Sequence, residues 1–196
     1  MLKTIYNLKN EYSNYKNVLC KISSEEKKEN LIRLKRGLYE TDKNTNPILI
    51  ANHIVSPSYI SFETALSYYE MIPEKVYTIT SASFNKKKEK IIKNQLGIFT
   101  YTDIPKNVYS DSIIIDTSKE YGFLIATKEK AILDMLYKVK TVKSKKEIER
   151  LLFDDLRINE NDFRKLDFES MRSIGKKYLD KNISLFLQYL KENFYE

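Results

Sequence analysis

The sequence predicts an α+β fold: a small N-terminal module, then a mixed α/β domain, then a helical C-terminal bundle. Three observations predict it. Helical spacing and one short alternating run share residues 1–45. Between residues 46 and 140, β-branched and aromatic runs alternate with helical patterns. From 144 to 196 only helical spacing remains.

A chain of 196 residues suits a small module joined to a medium domain. With 42% hydrophobic and 12% aromatic residues it can bury a real core. The 34 basic and 27 acidic residues leave a net charge of +7, which fits a polyanionic partner. An AT-rich genome would also enrich Lys, Asn, Ile and Tyr, so the distribution of charge says more than its total. Residues 1–46 carry ten Lys or Arg and six Asp or Glu, about +4, whereas residues 151–196 are about −1. Positive charge is therefore concentrated at the N-terminal end. Cys20 and His53 are the single Cys and single His, which rules out a multi-His or Cys/His metal site. The lone thiol suits a reducing cytosol. No apolar run approaches the roughly 20 residues of a membrane helix, and the N-terminus has no signal-peptide centre. The expectation is a cytoplasmic protein with no membrane contact.

Within residues 1–45, Leu2, Ile5, Tyr6 and Lys9 follow helical spacing, and residues 10–14 break it. A second helix is expected from about Tyr15 to Glu29, with Tyr15, Leu19 and Ile22 as its narrow apolar stripe. Ile32 and Leu34 then alternate with Arg33 and Lys35. Gly37 supplies the turn before Leu38-Tyr39, so a short hairpin with a basic tip is expected. Residues 41–47 have linker composition. Beyond them the pattern predicts a helix over Ile48–Ile54, an extended Tyr59-Ile60 and a helix from Phe62 to Tyr69 capped by Ser61. Strands are expected at Val76–Thr80, Ile98–Tyr101, Ile113–Ile115 and Phe123–Ile125. Thr127 caps a helix over Lys128–Lys138 that buries Ala131, Ile132, Met135 and Leu136. Helices follow around Ile148-Leu151-Leu152, Met171-Ile174-Tyr178 and Ile183-Phe186-Leu187-Leu190.

Helix, turn, helix and basic hairpin in this order describe a reduced winged helix-turn-helix, a DNA-binding arrangement. Its second helix enters the major groove and its hairpin lies along the backbone or minor groove. Lys16, Asn17, Lys21, Ser23, Ser24, Lys27 and Lys28 are the candidate contacts from the helix. Asn17 suits a bidentate pairing with adenine, and the lysines suit phosphates. Arg33, Lys35 and Arg36 are the candidates from the wing. Glu25, Glu26 and Glu29 share the helix and would repel phosphate unless turned away. The alternative is a solvated helical hairpin beside a charged loop. Lys86, Lys87, Lys88 and Lys90, with Lys93, form a possible second basic surface, or a solvated connection from a strand into a helix.

Several strings together resemble the AbiEi-type antitoxins of type IV toxin–antitoxin systems. They are Leu31-Ile32-Arg33-Leu34-Lys35-Arg36-Gly37-Leu38-Tyr39, the run Ser58-Tyr59-Ile60-Ser61-Phe62-Glu63-Thr64-Ala65-Leu66-Ser67-Tyr68-Tyr69, Ile72-Pro73-Glu74, Val76-Tyr77-Thr78-Ile79-Thr80-Ser81-Ala82, and Ile125-Ala126-Thr127-Lys128-Glu129-Lys130-Ala131-Ile132-Leu133-Asp134. The similarity covers roughly residues 30 to 140. It implies a winged-helix transcriptional autorepressor that binds double-stranded operator DNA, with an antitoxin domain over 46–196. It further implies that this domain neutralises an AbiEii-like nucleotidyltransferase toxin in phage defence, without a stable complex with it. Two positions depart from the family. Glu70 stands where Gly is commoner after the paired tyrosines, and Glu29-Asn30 replaces a frequent Gly before the wing. The module is also short, and a missing first helix would leave its core thin and dependent on docking to the second domain.

Other chemistry has weaker support. Asp111, Asp116, Glu120, Glu129 and Lys130 sit near expected strands, as the acids and lysine of a metal-dependent nuclease do. Glu129 and Lys130 are sequence neighbours, however, and point different ways on a helix. His53 reads as a packed or interface histidine and Cys20 as structural. Four scattered glycines make no phosphate loop. The residues thus nominate no catalytic group, metal or cofactor. A toxin-binding protein with a vestigial DNA-binding module is the alternative function.

Overall fold

The computed structural model describes residues 1–118 and 122–194. Strand β1 (Leu2–Thr4) leads into helix α1 (Ile5–Glu11), capped by the Thr4 hydroxyl, which accepts from the Asn7 N–H. Helix α2 (Val18–Lys27) follows, then strands β2 (Ile32–Lys35) and β3 (Leu38–Glu40). The helical spacing expected from Leu2 begins only at Ile5. Leu2, Lys3 and Thr4 instead pair antiparallel with Glu40, Tyr39 and Leu38, and cross-strand partners override local periodicity. The hairpin β2–β3 forms as expected around Gly37, at φ 82°. The three strands make one sheet in the order β1-β3-β2.

The second helix is shorter than expected because the Asn17 side chain caps the Cys20 N–H and starts the helix at Val18. That start sets which face is buried. Val18, Ile22 and Glu25 turn inward, and Leu19, expected on the apolar stripe, is 61% exposed. Four buried side chains, Leu8, Ile22, Leu31 and Tyr39, make up the module's own core. Ile32 and Leu34 belong to the main core of the molecule. The hairpin thus serves two cores at once.

Helix α3 (Pro47–Ile54) starts under an Asn46 cap with Pro47 in its first turn, where a missing N–H does no harm. A six-stranded mixed sheet follows, built from β4 (Ser58–Ile60), β5 (Thr78–Ser83), β6 (Lys90–Asn94), β7 (Gly97–Asp103), β8 (Ile113–Asp116) and β9 (Phe123–Ala126). Helices α4 (Phe62–Tyr68) and α5 (Lys128–Lys138) lie between strands and after them. The strand order is β6-β7-β5-β4-β9-β8, with β5–β7 and β4–β9 parallel and the other pairs antiparallel. Two expectations are corrected here. The strand expected at Val76–Thr80 runs over Thr78–Ser83, because those six residues pair in unbroken register with Ile98–Asp103. The lysine run does not connect into a helix: Lys90 and Lys93 lie on β6, an edge strand paired with β7.

The C-terminal part holds α6 (Lys145–Arg150), a π-helical turn (Leu151–Asp155), α7 (Glu160–Phe163), α8 (Phe168–Tyr178) and α9 (Lys181–Asn193). Ile148, Leu152, Met171, Ile174, Tyr178, Ile183, Phe186 and Leu190 are buried on the faces that helical spacing predicts. Gly175 lets α8 and α9 approach closely, since a Cβ there would sit 3.1 Å from the Leu187 side chain. Among the described residues no helix is long and apolar enough to cross a membrane.

Candidate nucleic-acid interface

The outward side of α2 is set by the inward one. With Val18, Ile22 and Glu25 facing in, the exposed residues are Lys16 just before the helix, then Leu19, Cys20, Ser23 and Lys27 along it. Cys20, Ser23 and Lys27 recur at helical steps and form one stripe, and the exposed Lys16 precedes the Asn17 cap at the start of the helix. The stripe has small side chains followed by a cation, and no carboxylate interrupts it.

The acids that threatened this face are held elsewhere. The Glu25 carboxylate accepts from Lys21 Nζ at 2.7 Å and from Asn30 Nδ2 at 2.7 Å, and these donors hold it below its ordinary pKa. Glu26 accepts two bonds from Arg33, 2.8 Å from Nε and 2.9 Å from the terminal nitrogen. This bidentate fork ties α2 to the hairpin. Glu29 lies beyond the helix, exposed, in the left-handed conformation at φ 58°.

Neutralising the acids occupies several of the expected contacts. Lys21 and Arg33 are the partners of those carboxylates, and Lys28 Nζ lies 3.9 Å from Glu25. Asn17 uses its side-chain oxygen as a cap, which works against bidentate pairing with adenine. Ser24 is only half-exposed on the helix flank. Lys35 reaches in the other direction. Its ammonium donates to the carbonyls of Ile54 at 2.6 Å and His53 at 3.1 Å, closing the C-terminus of α3. Burial lowers its pKa first, and the nearby charges of Lys90 and Lys86 lower it further. Of the ten expected contacts, Lys16, Lys27 and Arg36 are exposed cations with no ion pair among the described residues.

The second basic run comes up beside the wing. Lys86 and Lys90 are the charges that act on Lys35, and Lys86 Nζ donates to the Ser56 carbonyl at 3.2 Å. The Asp103 carboxylate fixes the loop by accepting from the Lys86 and Lys87 backbone N–H groups at 2.6 and 2.8 Å and from the Ser83 hydroxyl at 2.8 Å. Lys87 and Lys88 remain exposed. A shallow groove lined by Glu26, Arg33, Lys93, Asn94 and Gln95 separates the hairpin from β6. Two basic segments far apart in sequence thus meet at one end of the molecule. Sequence reasoning missed this convergence because it depends on β6 being the edge strand next to β2.

The candidate acids of a nuclease do not converge. Asp111 pairs with Lys177 at 2.9 Å, Asp116 accepts from the Tyr68 hydroxyl, and Glu129 accepts from the Asp167 N–H at 3.2 Å. Glu120 lies outside the described residues. Among the described residues no group of three His, Cys, Asp or Glu side chains could hold a metal ion. His53, expected to pack, is exposed on the last turn of α3. Cys20 is exposed too.

Lys130 behaves differently from a surface lysine. It is fully buried, 3.1 Å from Asp134 and 2.5 Å from the Tyr178 hydroxyl. Asp134 also accepts from Tyr59 at 2.8 Å, from Ser61 at 2.6 Å and from Tyr178. Burial pushes the Tyr59 and Tyr178 phenols far up and the Lys130 ammonium down. This network joins β4, α5 and α8. It also explains why Ser61, expected to cap α4, makes no cap bond: its hydroxyl goes to Asp134 instead. None of the models of known protein families matches the chain, and no curated protein matches it either.

Proposed function

We propose that the chain binds duplex DNA through α2 and the β2–β3 hairpin and acts as a transcriptional autorepressor, in the manner of the AbiEi-type antitoxins it resembles. On this reading residues 1–45 are a reduced winged helix-turn-helix. The strand-helix-helix-hairpin order, with β3 between β1 and β2, supports that assignment. The observation that carries the proposal is the α2 stripe Cys20, Ser23, Lys27, with exposed Lys16 just ahead of the helix, kept clear of carboxylates because Glu25 and Glu26 are bound to Lys21 and Arg33.

Small residues at its middle let the helix approach base edges, and the flanking lysines meet phosphates. Arg36 adds a cation at the wing tip. Lys86, Lys87, Lys88 and Lys90 extend the positive surface along the backbone of the same duplex. Lys35 contributes by anchoring the wing on α3. The antitoxin role belongs to residues 46–196 and follows from the resemblance: silencing of a nucleotidyltransferase toxin. No enzymatic activity or cofactor is part of this reading, and its setting is the bacterial cytoplasm.

The test is fluorescence anisotropy with a duplex from immediately upstream of the chain's own gene and an unrelated duplex of equal length, over a salt series. The wild type is expected to prefer its own upstream DNA. Each cation meeting a phosphate adds about 0.9 to the slope of log affinity against log salt. The triple variant Lys16→Ala/Lys27→Ala/Arg36→Ala should therefore flatten the slope by roughly 3 while leaving the melting temperature unchanged. Equal binding of both duplexes, or a triple variant that binds as the wild type does, overturns the proposal.

A further inference from the structure

Leu19 is an apolar side chain that the fold leaves uncovered on α2. It is 61% exposed and belongs to neither hydrophobic core. Val18 and Ile22 pack inward beside Leu8, Leu31 and Tyr39, so the module closes its core without it. A lone leucine on a wet surface ordinarily needs no explanation. The place of this one on the helix gives it a use.

Leu19, Ser23 and Glu26 recur at steps of four and three, so they share one face of α2. Glu26 is tied to Arg33 of β2 by two hydrogen bonds, so that face opens toward the hairpin. Leu19 therefore lies between the outward stripe Cys20, Ser23, Lys27 and the wing. Exposed Lys16 precedes it, exposed Lys27 follows further along the helix, and exposed Arg36 stands at the wing tip. The nearby Asn17 side chain is occupied as the helix cap. An apolar group set among cations suits a partner that those cations attract and that itself offers something apolar. In the major groove of a duplex, the apolar group on the base edges is the thymine C5-methyl.

We propose that Leu19 is a specificity-determining residue that packs on thymine methyl groups in the major groove. The inference rests on the proposed function and names the base feature that α2 reads. The other three bases present hydrogen-bonding groups at that edge, and a leucine set against them would strand a donor or acceptor without a partner. Thymine offers a methyl that the leucine can bury, worth about fourfold in affinity for each methyl covered. The stretch of operator facing α2 is therefore expected to carry thymine.

The test uses the full chain and changes only the methyl groups of the DNA. The upstream duplex is made twice, once with thymine and once with deoxyuridine at every thymine position, which leaves the hydrogen-bonding edge of each base unchanged. By fluorescence anisotropy the wild type should bind the uracil duplex at least about fourfold more weakly. Leu19→Ala should lose a similar factor on the thymine duplex and should no longer distinguish the two. Its side chain is exposed and alanine favours a helix, so the melting temperature should hold. Lys27→Ala, by contrast, should weaken binding to both duplexes alike, since a phosphate contact carries no base information. Equal binding of the two duplexes by the wild type, or a uracil penalty undiminished in Leu19→Ala, overturns the proposal. A wild type that prefers its upstream DNA yet ignores the methyls removes Leu19 from the reading and leaves the repressor standing. A wild type with no preference for its upstream DNA sinks both.

Discussion

Residues 1–45 hold themselves together with Leu8, Ile22, Leu31 and Tyr39, whereas residues 46–194 share one continuous core from α3 through the sheet to α9. Polar groups are handled just as differently. In the N-terminal module, each charge pair keeps at least one partner in reach of solvent: Lys21 with the largely buried Glu25, Arg33 with Glu26, and the Met1 ammonium with the buried Glu40. In the larger part, Lys130 and Asp134 pair with no exposure at all, and Tyr59, Ser61 and Tyr178 complete their bonding. The module uses its ions to shape an outer face. The body uses its ions to fix which element packs on which. A thin module presenting cations can work only if something rigid holds it, and Ile32, Leu34 and Lys35 provide that hold.

The largest effect should come from the buried network. Asp134→Ala removes the counter-charge of Lys130 and the acceptor of three hydroxyls. Breaking a buried pair on one side costs about 3–5 kcal/mol, and urea unfolding should show a loss of that size. The double variant Lys130→Met/Asp134→Leu should recover a large part of it, because no uncompensated charge remains. A loss below about 1 kcal/mol for Asp134→Ala would mean that the network is no firmer than a surface contact, and the contrast between the two regions would fail.

Leu34→Ala should follow, at about 2–4 kcal/mol, and it should weaken both regions together because Leu34 lies in the main core. Ile22→Ala is the sharper comparison. It empties part of the four-residue core alone, so amide exchange should quicken in α1 and α2 while β4, β5, β7 and β9 stay protected. If Ile22→Ala instead lowers protection in the sheet by the same amount, the chain has one cooperative unit, and the module is not separable from it.

The legible parts of the fold are those where one local signal dominates. The hairpin at Gly37, the cap at Thr127 and the buried faces of α5, α8 and α9 follow from turn chemistry and periodicity. Leu2–Thr4 was not legible as a strand, because its partners lie some thirty-five residues further on. The candidate interface was legible by residue type and not by role. Nothing local distinguishes Lys35, which closes α3, from Arg36, which faces solvent. Lys130 has the sequence context of a helix start, and only the packing of Tyr59 and Tyr178 against it shows that it is buried.

The smallest effect concerns two turns, one in each region. Glu29 after α2 and Glu70 after α4 take the left-handed conformation, with φ of 58° and 57°. Both are near positions where the AbiEi-type pattern has glycine. A side chain with a Cβ is disfavoured there by roughly 1–2 kcal/mol, partly offset by the greater freedom glycine has when unfolded. Glu29→Gly and Glu70→Gly should therefore each raise stability by about 0.5–1 kcal/mol in urea unfolding. Ser24→Gly, inside α2, should lower it by a similar amount because no left-handed geometry is relieved there. Glu70→Gly should leave DNA binding alone. Glu29→Gly should strengthen it slightly, since an exposed carboxylate disappears from the end of the proposed recognition helix. Should neither glycine stabilise the chain, the family's glycines and these turns would have different causes, and the resemblance would lose its physical footing at both places.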